Sequence, residues 1–273
     1  MSTVTATTRA MSPAASGIST VGLLRSEWIK LRSLRSTFWA YAATIIVGVG
    51  FSLLFAVSVS DLNGIPTDSA AGIALGTSTL GLTFAQLPIA VLGVLVISGE
   101  YSTGMIRSTL TAAPRRYSAL LAKAAVFAAV TFVVGLIITF GSYFVAASLM
   151  ATRGAESSLG DPGVISALVG GALFLSLIGV LSLGIGTIVR SGAGGIAATI
   201  GLLMLAPIVF ALIPAEWAAD VARYLPTAVG GAMYQIPLDG GTGMDPVQGL
   251  LFLLVWVAVA LASGAALLTR RDA

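Results

Sequence analysis

Residues 164–189 read VISALVGGALFLSLIGVLSLGIGTIV, a predominantly apolar stretch without one charged side chain. A transmembrane α-helix needs about 20 consecutive, mostly apolar residues to cross the hydrocarbon core of a bilayer. Residues 164–189 meet that length without interruption. The stretch therefore predicts a helix that lies in a membrane rather than in water.

The same pattern recurs on both sides of this stretch. We expect six membrane-spanning helices, at about residues 37–60, 72–98, 120–150, 164–189, 195–213 and 247–268. The chain is 57% hydrophobic and only 9% charged, whereas soluble chains carry about 25% charged residues. These observations predict an all-α polytopic membrane protein with its spans in residues 37–273. Most soluble enzymes and DNA-binding domains are excluded, and we expect the lipid bilayer, not nucleic acid, as a partner.

The distribution of charge predicts the orientation of the spans. An even number of spans places both termini on one side of the membrane. That side holds 12 of the 14 basic residues and 3 of the 11 acidic ones, a net charge of +9, and the opposite side carries −6. Because basic loops stay in the cytoplasm, both termini are predicted to be cytoplasmic.

The segment before the first span divides into two parts. Residues 1–18 contain no apolar run, so they do not form a secretory signal and are expected to be a disordered cytoplasmic tail. Residues 19–36 predict an amphipathic helix, because Val21, Leu24, Trp28 and Leu31 recur at helical spacing. The helix is expected to lie at the membrane interface, either as a topology anchor or as a lever on the first span. Its polar positions include Arg25, Glu27 and Lys30.

The loop between the second and third spans, SGEYSTGMIRSTLTAAPRR at residues 98–116, is the most informative stretch outside the spans. Glu100 lies where the second span ends, so we expect it to pair with a nearby arginine. Ser102 or Thr103 is expected to cap a short cytoplasmic helix that runs to about Leu110, and Pro114 would end it. Such a helix suits docking into a groove on a partner. The alternative is a solvated loop whose Gly and Pro residues only shape turns.

Two further features differ from plain membrane helix. Residues 214–246 are too apolar for an ordinary loop, so we expect re-entrant or interfacial helices there, or alternatively a lid without substrate contact. Gln86 and Pro88 lie near the middle of the second span. They form a candidate substrate path with a kink and a polar contact, or alternatively a helix bend whose amide bonds a neighbouring helix.

The residues that are absent exclude several chemistries. The chain has no histidine and no cysteine, so imidazole bases, thiolate metal sites and cysteine nucleophiles are excluded, and we predict neither a metal site nor catalytic residues. Neither of the two lysines follows the glycine spacing of a P-loop, so ATP hydrolysis would need another polypeptide. We expect only Ser, Thr, Tyr and Gln86 as polar residues inside the spans, which argues against ion-coupled transport.

The loop pattern Gly99-Glu100-Tyr101-x-x-Gly104-Met105-Ile106-Arg107-x-x-Leu110-x-x-x-Pro114-x-Arg116 resembles that of type 2 ATP-binding-cassette (ABC) exporter permeases, the bacterial ABC transporter permeases. Residues 24–32, LRSEWIKLR, are similar to the amphipathic helix that opens many members of this family. The six spans and the apolar segment before the sixth match as well. The resemblance covers nearly the whole chain after the N-terminal tail.

This resemblance implies a permease subunit in the bacterial plasma membrane. It would pair with a second permease protomer, identical or homologous, and with two cytoplasmic ABC ATPase subunits that bind ATP and magnesium. This chain would bind no cofactor and would not itself be an enzyme. The substrate would be a hydrophobic or amphipathic molecule such as a drug, a peptide antibiotic or a lipid.

The resemblance also assigns roles to residues. The loop would be the coupling helix that inserts into the ATPase, and residues 19–36 would be the connecting helix with Arg25, Glu27, Trp28 and Lys30. Arg25, Glu27 and Lys30 would be electrostatic neighbours of Glu100. Two other functions remain open: a membrane anchor or scaffold that recruits a cytoplasmic partner, and a secondary carrier that works without ATP. The coupling positions are Glu100, Gly104, Met105, Ile106, Arg107, Leu110 and Pro114.

Overall fold

The computed structural model describes residues 19–58, 70–105, 116–152, 156–235 and 244–270, and within these ranges the chain is helical, with no strand. The helices are α1 (Thr20–Ser33), α2 (Arg35–Ser58), α3 (Ala70–Ser102), α4 (Arg116–Ala151), α5 (Val164–Val189), α6 (Gly192–Ile200), α7 (Ala206–Ala211), α8 (Glu216–Arg223), α9 (Pro226–Gly231) and α10 (Pro246–Arg270). A π-helical turn, Gly201–Leu205, joins α6 to α7.

Six of these helical stretches are long and apolar enough to cross a membrane, which confirms the predicted number of spans. They are Arg35–Ser58, Gly72–Ser102, Tyr117–Ala151, Val164–Val189, Gly192–Ala211 and Pro246–Thr269. The second and third spans differ most from expectation in length, because α3 has 33 residues and α4 has 36. At 1.5 Å per residue these helices measure about 50 and 54 Å, well beyond the ~30 Å hydrocarbon core. They therefore extend past the apolar layer.

The fourth span, α5, forms the centre of the bundle. It has the largest buried share of the six spans, 67%, and it packs against α3, α4 and α10. Small residues allow this close contact: a Cβ atom added at Gly93 of α3 would collide with the backbone oxygen of Gly179 of α5. Helices in lipid associate largely through such close packing, because the bilayer supplies no hydrophobic force between them.

The fifth span is interrupted and lies at the edge of the bundle. Only 17% of it is buried, and its π-helical turn is followed directly by α7, which has a proline in its first turn. Within a continuous helix, proline lacks the N–H group that would bond to the preceding turn, and its ring crowds that turn; the wider π-helical turn lies directly before it.

The segment between the fifth and sixth spans contains two short helices, α8 and α9. Ring and hydrogen-bond contacts fix its described part to the bundle. The Tyr234 ring lies 5.2 Å from that of Phe174 in α5, and the Trp256 indole of α10 donates to the Tyr224 carbonyl at 2.9 Å. The described part of the segment, up to residue 235, is therefore held against α5 and α10.

Candidate functional site

Helix α1 begins at a conventional cap and ends at a single extended residue. The Ser19 hydroxyl accepts a hydrogen bond from the Gly22 backbone N–H at 3.1 Å, which satisfies one of the free donors at the helix start. Leu34 is extended (φ −85°, ψ 110°) and separates α1 from α2. The chain can therefore turn between a helix at the end of the bundle and the first span.

The face of α1 that contacts the bundle is not the one with the most apolar residues. Val21, Leu24 and Trp28 are exposed, whereas Leu31 and the charged Glu27 are buried. Helix α1 packs mainly on α4 and less on α2. The amphipathic helix thus presents an apolar surface outward and places a carboxylate inside the protein.

Four charged side chains meet where α1 crosses the ends of α3 and α4. We call Glu27, Lys30, Glu100 and Lys123 the ion-pair quartet. The Lys30 ammonium lies 2.8 Å from Glu27 Oε1 and 2.9 Å from Glu100 Oε1. The Lys123 ammonium lies 2.5 Å from Glu27 Oε2 and 2.7 Å from Glu100 Oε1. Each ammonium therefore bridges both carboxylates, and α1, α3 and α4 are joined at one point.

The quartet is electrically balanced and largely shielded from solvent. Two lysines face two glutamates, and the side chains of Glu27, Glu100 and Lys123 are each 5% exposed. Buried charges persist only when they are paired and hydrogen-bonded, because removing an ion from water costs several kcal/mol. The balance explains how the ends of two membrane-spanning helices can hold charged side chains.

Lys30 is the most exposed member, at 28% of its side chain. Burial lowers the pKa of Lys30, but its hydrogen bonds to Glu27 and Glu100 outweigh that effect, so the pKa lies above its ordinary value. The contribution of this group to stability is present below its ordinary pKa and is lost only as the pH rises through the raised pKa. Lys30 therefore stays charged at neutral pH.

A second polar contact joins α3, α5 and α10 at the same end of the bundle. The Arg190 guanidinium donates to the Leu267 carbonyl at 3.0 Å and lies 5.4 Å from the centre of the Tyr101 ring. Arg190 follows α5 with φ at 58°, a left-handed conformation that few residues other than glycine adopt. The C-terminal ends of three spans thus meet around one arginine.

The quartet corrects three expectations from the sequence. Glu100, in the last turn of α3, pairs with lysines rather than with an arginine. Arg25, Glu27 and Lys30 were the expected neighbours of Glu100. Arg25 is exposed, so only Glu27 and Lys30 join the cluster. Lys123 lies within the third span, so the expectation of spans without charged residues was wrong.

Lys123 was missed because it was counted with the basic loop. The sequence feature that could have identified Lys123 was its position within an otherwise apolar helix. An unpaired ammonium is unfavourable there, so a buried acidic partner is required. The partner nearest in sequence is Glu100, 23 residues earlier. Their meeting depends on how α3 and α4 pack, which sequence spacing alone does not give.

The structure describes only the beginning of the predicted coupling segment. The Ser102 and Thr103 hydroxyls donate to the Gly99 carbonyl at 3.0 and 2.8 Å, at the end of α3. Gly104 follows with φ at 71°, where glycine is strongly favoured, and Met105 is exposed. Ile106, Arg107, Leu110 and Pro114 lie outside the described residues.

The two residues of the candidate substrate path lie within α3. Pro88 is inside the helix, and Gln86 is 4% exposed. The Gln86 amide nitrogen donates to the Thr83 carbonyl of its own helix at 3.0 Å, and its amide oxygen has no partner among the described residues. Gln86 therefore lies in the packed interior, and the expected donation from its amide to a neighbouring helix is not observed.

No protein-family model matches this chain, and no curated protein matches it. The fold and the site define a helical, multi-pass membrane protein in which an N-terminal helix is ion-paired to two of its six spans.

Proposed function

We propose that the chain is the transmembrane permease subunit of an ATP-driven exporter, with ATP hydrolysed by a separate cytoplasmic ATPase. Three features support this proposal. The chain has six candidate spans, a helix precedes the first of them, and the loop from Gly99 to Arg116 has the residue pattern quoted above. The chain would act with a second permease protomer and two ATPase subunits.

The observation that carries the proposal is the position of the ion-pair quartet. Residues 103–115 connect α3 to α4, and Glu100 and Lys123 lie in the ends of those two helices that flank this connection. Glu27 and Lys30 attach α1 to the same place. A displacement of the connection would therefore move α1, α3 and α4 together.

This geometry suggests how ATP binding would act on the spans. Closure of the ATPase pair would displace the coupling segment, and the quartet would pass that displacement to α1, which continues into α2 through Leu34. The spans would then expose the substrate alternately, or release it sideways. Because the spans are mostly apolar, the exported molecule would be hydrophobic or amphipathic.

The first test is whether a gene next to that of this chain encodes a soluble ATPase with Walker motifs, and the second is ATP-dependent transport by the two proteins together. Inverted membrane vesicles that contain both proteins should accumulate a hydrophobic dye only when ATP is supplied. Gly104→Trp and Arg107→Glu should each abolish accumulation, because both alter the segment proposed to dock. Arg107→Lys, which keeps the charge, should retain most of the activity.

Other outcomes would identify the alternative functions. Stable binding of the ATPase without ATP-dependent transport would indicate a scaffold. Transport that follows an ion gradient without ATP would indicate a secondary carrier. If the chain binds no ATPase, and Gly104→Trp with Arg107→Glu leaves export unchanged, the proposal is wrong.

A further inference from the structure

Two clefts share Trp28 as part of their walls, where α1 lies against α4 and α2. The first has a volume of about 400 Å³ and is formed by α1 and α4, with Leu24 and Ala129 in its wall. The second has a volume of about 310 Å³ and is formed by α1, α2 and α4, with Phe38 and Tyr41 in its wall. Leu24, Trp28 and Phe38 are exposed. Both clefts are therefore mostly apolar and open to the surroundings of the protein.

Each cleft contains one arginine. Arg25 lines the first cleft and Arg32 the second. The two arginines lie on the same side of α1, two turns or about 10 Å apart, with Trp28 between them. Both are exposed, and neither forms an ion pair among the described residues.

No carboxylate remains at this end of the bundle to neutralise the two arginines. Glu27 and Glu100 are the only acidic residues that the structure describes there, and both are paired with the lysines of the quartet. The quartet itself is neutral, so the guanidinium groups of Arg25 and Arg32 add a net positive charge beside the clefts. A ligand that complements this surface has a negative group and a long apolar part.

The helices place the clefts at the edge of the apolar layer. At the end of the bundle away from α1, four spans meet in one buried cluster, which includes Ala56 of α2, Ala74 of α3, Ala146 and Met150 of α4 and Val164 of α5. Towards α1, about 20 residues of helix, enough for the ~30 Å hydrocarbon core, lead from Ala56 to Thr37 and from Ala146 to Val126. Thr37 and Val126 line the clefts. With one boundary of the apolar layer at the cluster, the other lies at the clefts.

We propose that the two clefts bind an anionic phospholipid, with its phosphate at Arg25 and Arg32 and its acyl chains along the apolar walls beside Trp28. A guanidinium group binds a phosphate through two parallel hydrogen bonds, and basic residues at the membrane surface attract anionic lipids. A zwitterionic lipid fits less well, because its own positive group adds to the positive charge of the two arginines. The inference concerns lipid binding alone and does not depend on the proposed transport.

The experiment measures quenching of Trp28 fluorescence by lipids with brominated acyl chains. The full chain is reconstituted in phosphatidylcholine vesicles with increasing fractions of brominated phosphatidylglycerol or brominated phosphatidylcholine. The chain has four tryptophans, so the signal of Trp28 is the part that disappears in Trp28→Phe. We expect the anionic lipid to reach half-saturation at a roughly 20-fold lower fraction than the zwitterionic one, about fivefold for each arginine.

Three variants test the role of charge. Arg25→Gln and Arg32→Gln should each reduce the preference for phosphatidylglycerol about fivefold, and the double variant should remove it. Arg223→Gln makes the same change at an exposed arginine at the opposite end of the bundle and should leave the preference unchanged. All three positions are exposed, and thermal unfolding establishes that each variant is folded.

Two further variants test the location. Ala129→Phe places a ring in the first cleft and should reduce the quenching of Trp28 by the brominated anionic lipid. Ala43→Phe makes the same change at an exposed position of α2 that lines neither cleft, and it should quench as the unaltered chain does.

The same measurements can overturn the inference. It is wrong if the two brominated lipids quench Trp28 equally at equal fractions, or if the variants of Arg25 and Arg32 behave like that of Arg223. Equal quenching of Ala129→Phe and Ala43→Phe would contradict the location. If neither lipid quenches Trp28, protein rather than lipid covers the clefts, and the inference also fails.

Discussion

Lys123 bridges two buried carboxylates from its position within α4. Its ammonium contacts Glu27 of α1 at 2.5 Å and Glu100 of α3 at 2.7 Å, and its side chain is 5% exposed. Lys30 contacts the same two glutamates, but its side chain is 28% exposed. The two lysines thus make similar contacts in different surroundings, which allows the effect of burial to be measured.

We expect Lys123→Met to lower the free energy of unfolding by roughly 3–5 kcal/mol, because Glu27 and Glu100 would then share the Lys30 ammonium and one of their two buried negative charges would be uncompensated. Lys30→Met should lower it less, since water can reach that position. Thermal unfolding of the purified chain in detergent measures both effects. Adding Glu27→Gln to Lys123→Met should recover part of the loss. Equal losses for the two lysine variants would contradict the assigned burial.

Arg190 has a side chain that makes stabilising contacts and a backbone conformation that is unfavourable. Its φ of 58° is costly for any residue with a Cβ atom, by about 1–2 kcal/mol. Arg190→Ala and Arg190→Gly both remove the bond to the Leu267 carbonyl and the contact with the Tyr101 ring. Only the glycine variant also removes the conformational cost of the positive φ.

We therefore expect Arg190→Gly to be more stable than Arg190→Ala by about 1 kcal/mol, and both to be less stable than the unaltered chain. The measurement is the unfolding temperature of the three proteins in the same detergent. If alanine is tolerated as well as glycine, residue 190 does not have the left-handed conformation.

At the scale of single elements, the turn between α4 and α5 is organised by one aspartate. Asp161 accepts hydrogen bonds from the Ser158 backbone N–H at 2.8 Å and from the Ser158 hydroxyl at 3.1 Å. Ser157 hydrogen-bonds to the Tyr143 hydroxyl of α4 at 2.6 Å. The Ser158 N–H holds the pKa of Asp161 below its ordinary value, because it stabilises the charged carboxylate.

The lowered pKa predicts that this turn loosens in acid. The stabilisation is present above the ordinary carboxyl pKa of 3.8 and is lost as the pH falls through the lower pKa of the folded protein. Hydrogen exchange of residues 156–163, corrected for the intrinsic rate, should therefore show less protection at pH 3 than at pH 6. Asp161→Asn should show low protection at both. Equal protection of the unaltered chain at the two pH values would contradict the role of Asp161.

The number of spans, the end of α3 and the ion-pair quartet could be predicted from the sequence to different degrees, for physical reasons. The number of spans followed from apolar length, because a bilayer requires about 20 such residues wherever a helix crosses it. The end of α3 did not follow, since Gly99 and Glu100 look like the start of a loop until Lys30 and Lys123 neutralise the carboxylate. The quartet itself depends on contacts between residues as far apart as Glu27 and Lys123, which a local pattern does not contain.

At the scale of the whole molecule, close packing around α5 fixes how the spans are arranged. Helix α5 contacts α3, α4 and α10, and glycines lie at several of these contacts. Gly93 of α3 faces the backbone of Gly179 and lies near Ser182 of α5, whereas Gly76 of the same helix has open space around its Cα atom. Replacing each of these two glycines by alanine therefore distinguishes the effect of helix packing from that of helix propensity within one span.

We expect Gly93→Ala to destabilise the protein by roughly 1–3 kcal/mol, because the added methyl group would force α3 away from the α5 backbone. Gly76→Ala should be neutral or stabilising by up to about 1 kcal/mol, since alanine favours the helix and meets no neighbour. The unfolding temperatures of both variants in the same detergent provide the comparison. If Gly93→Ala is as stable as Gly76→Ala, α3 and α5 do not touch at this point, and the central position of α5 would have to be revised.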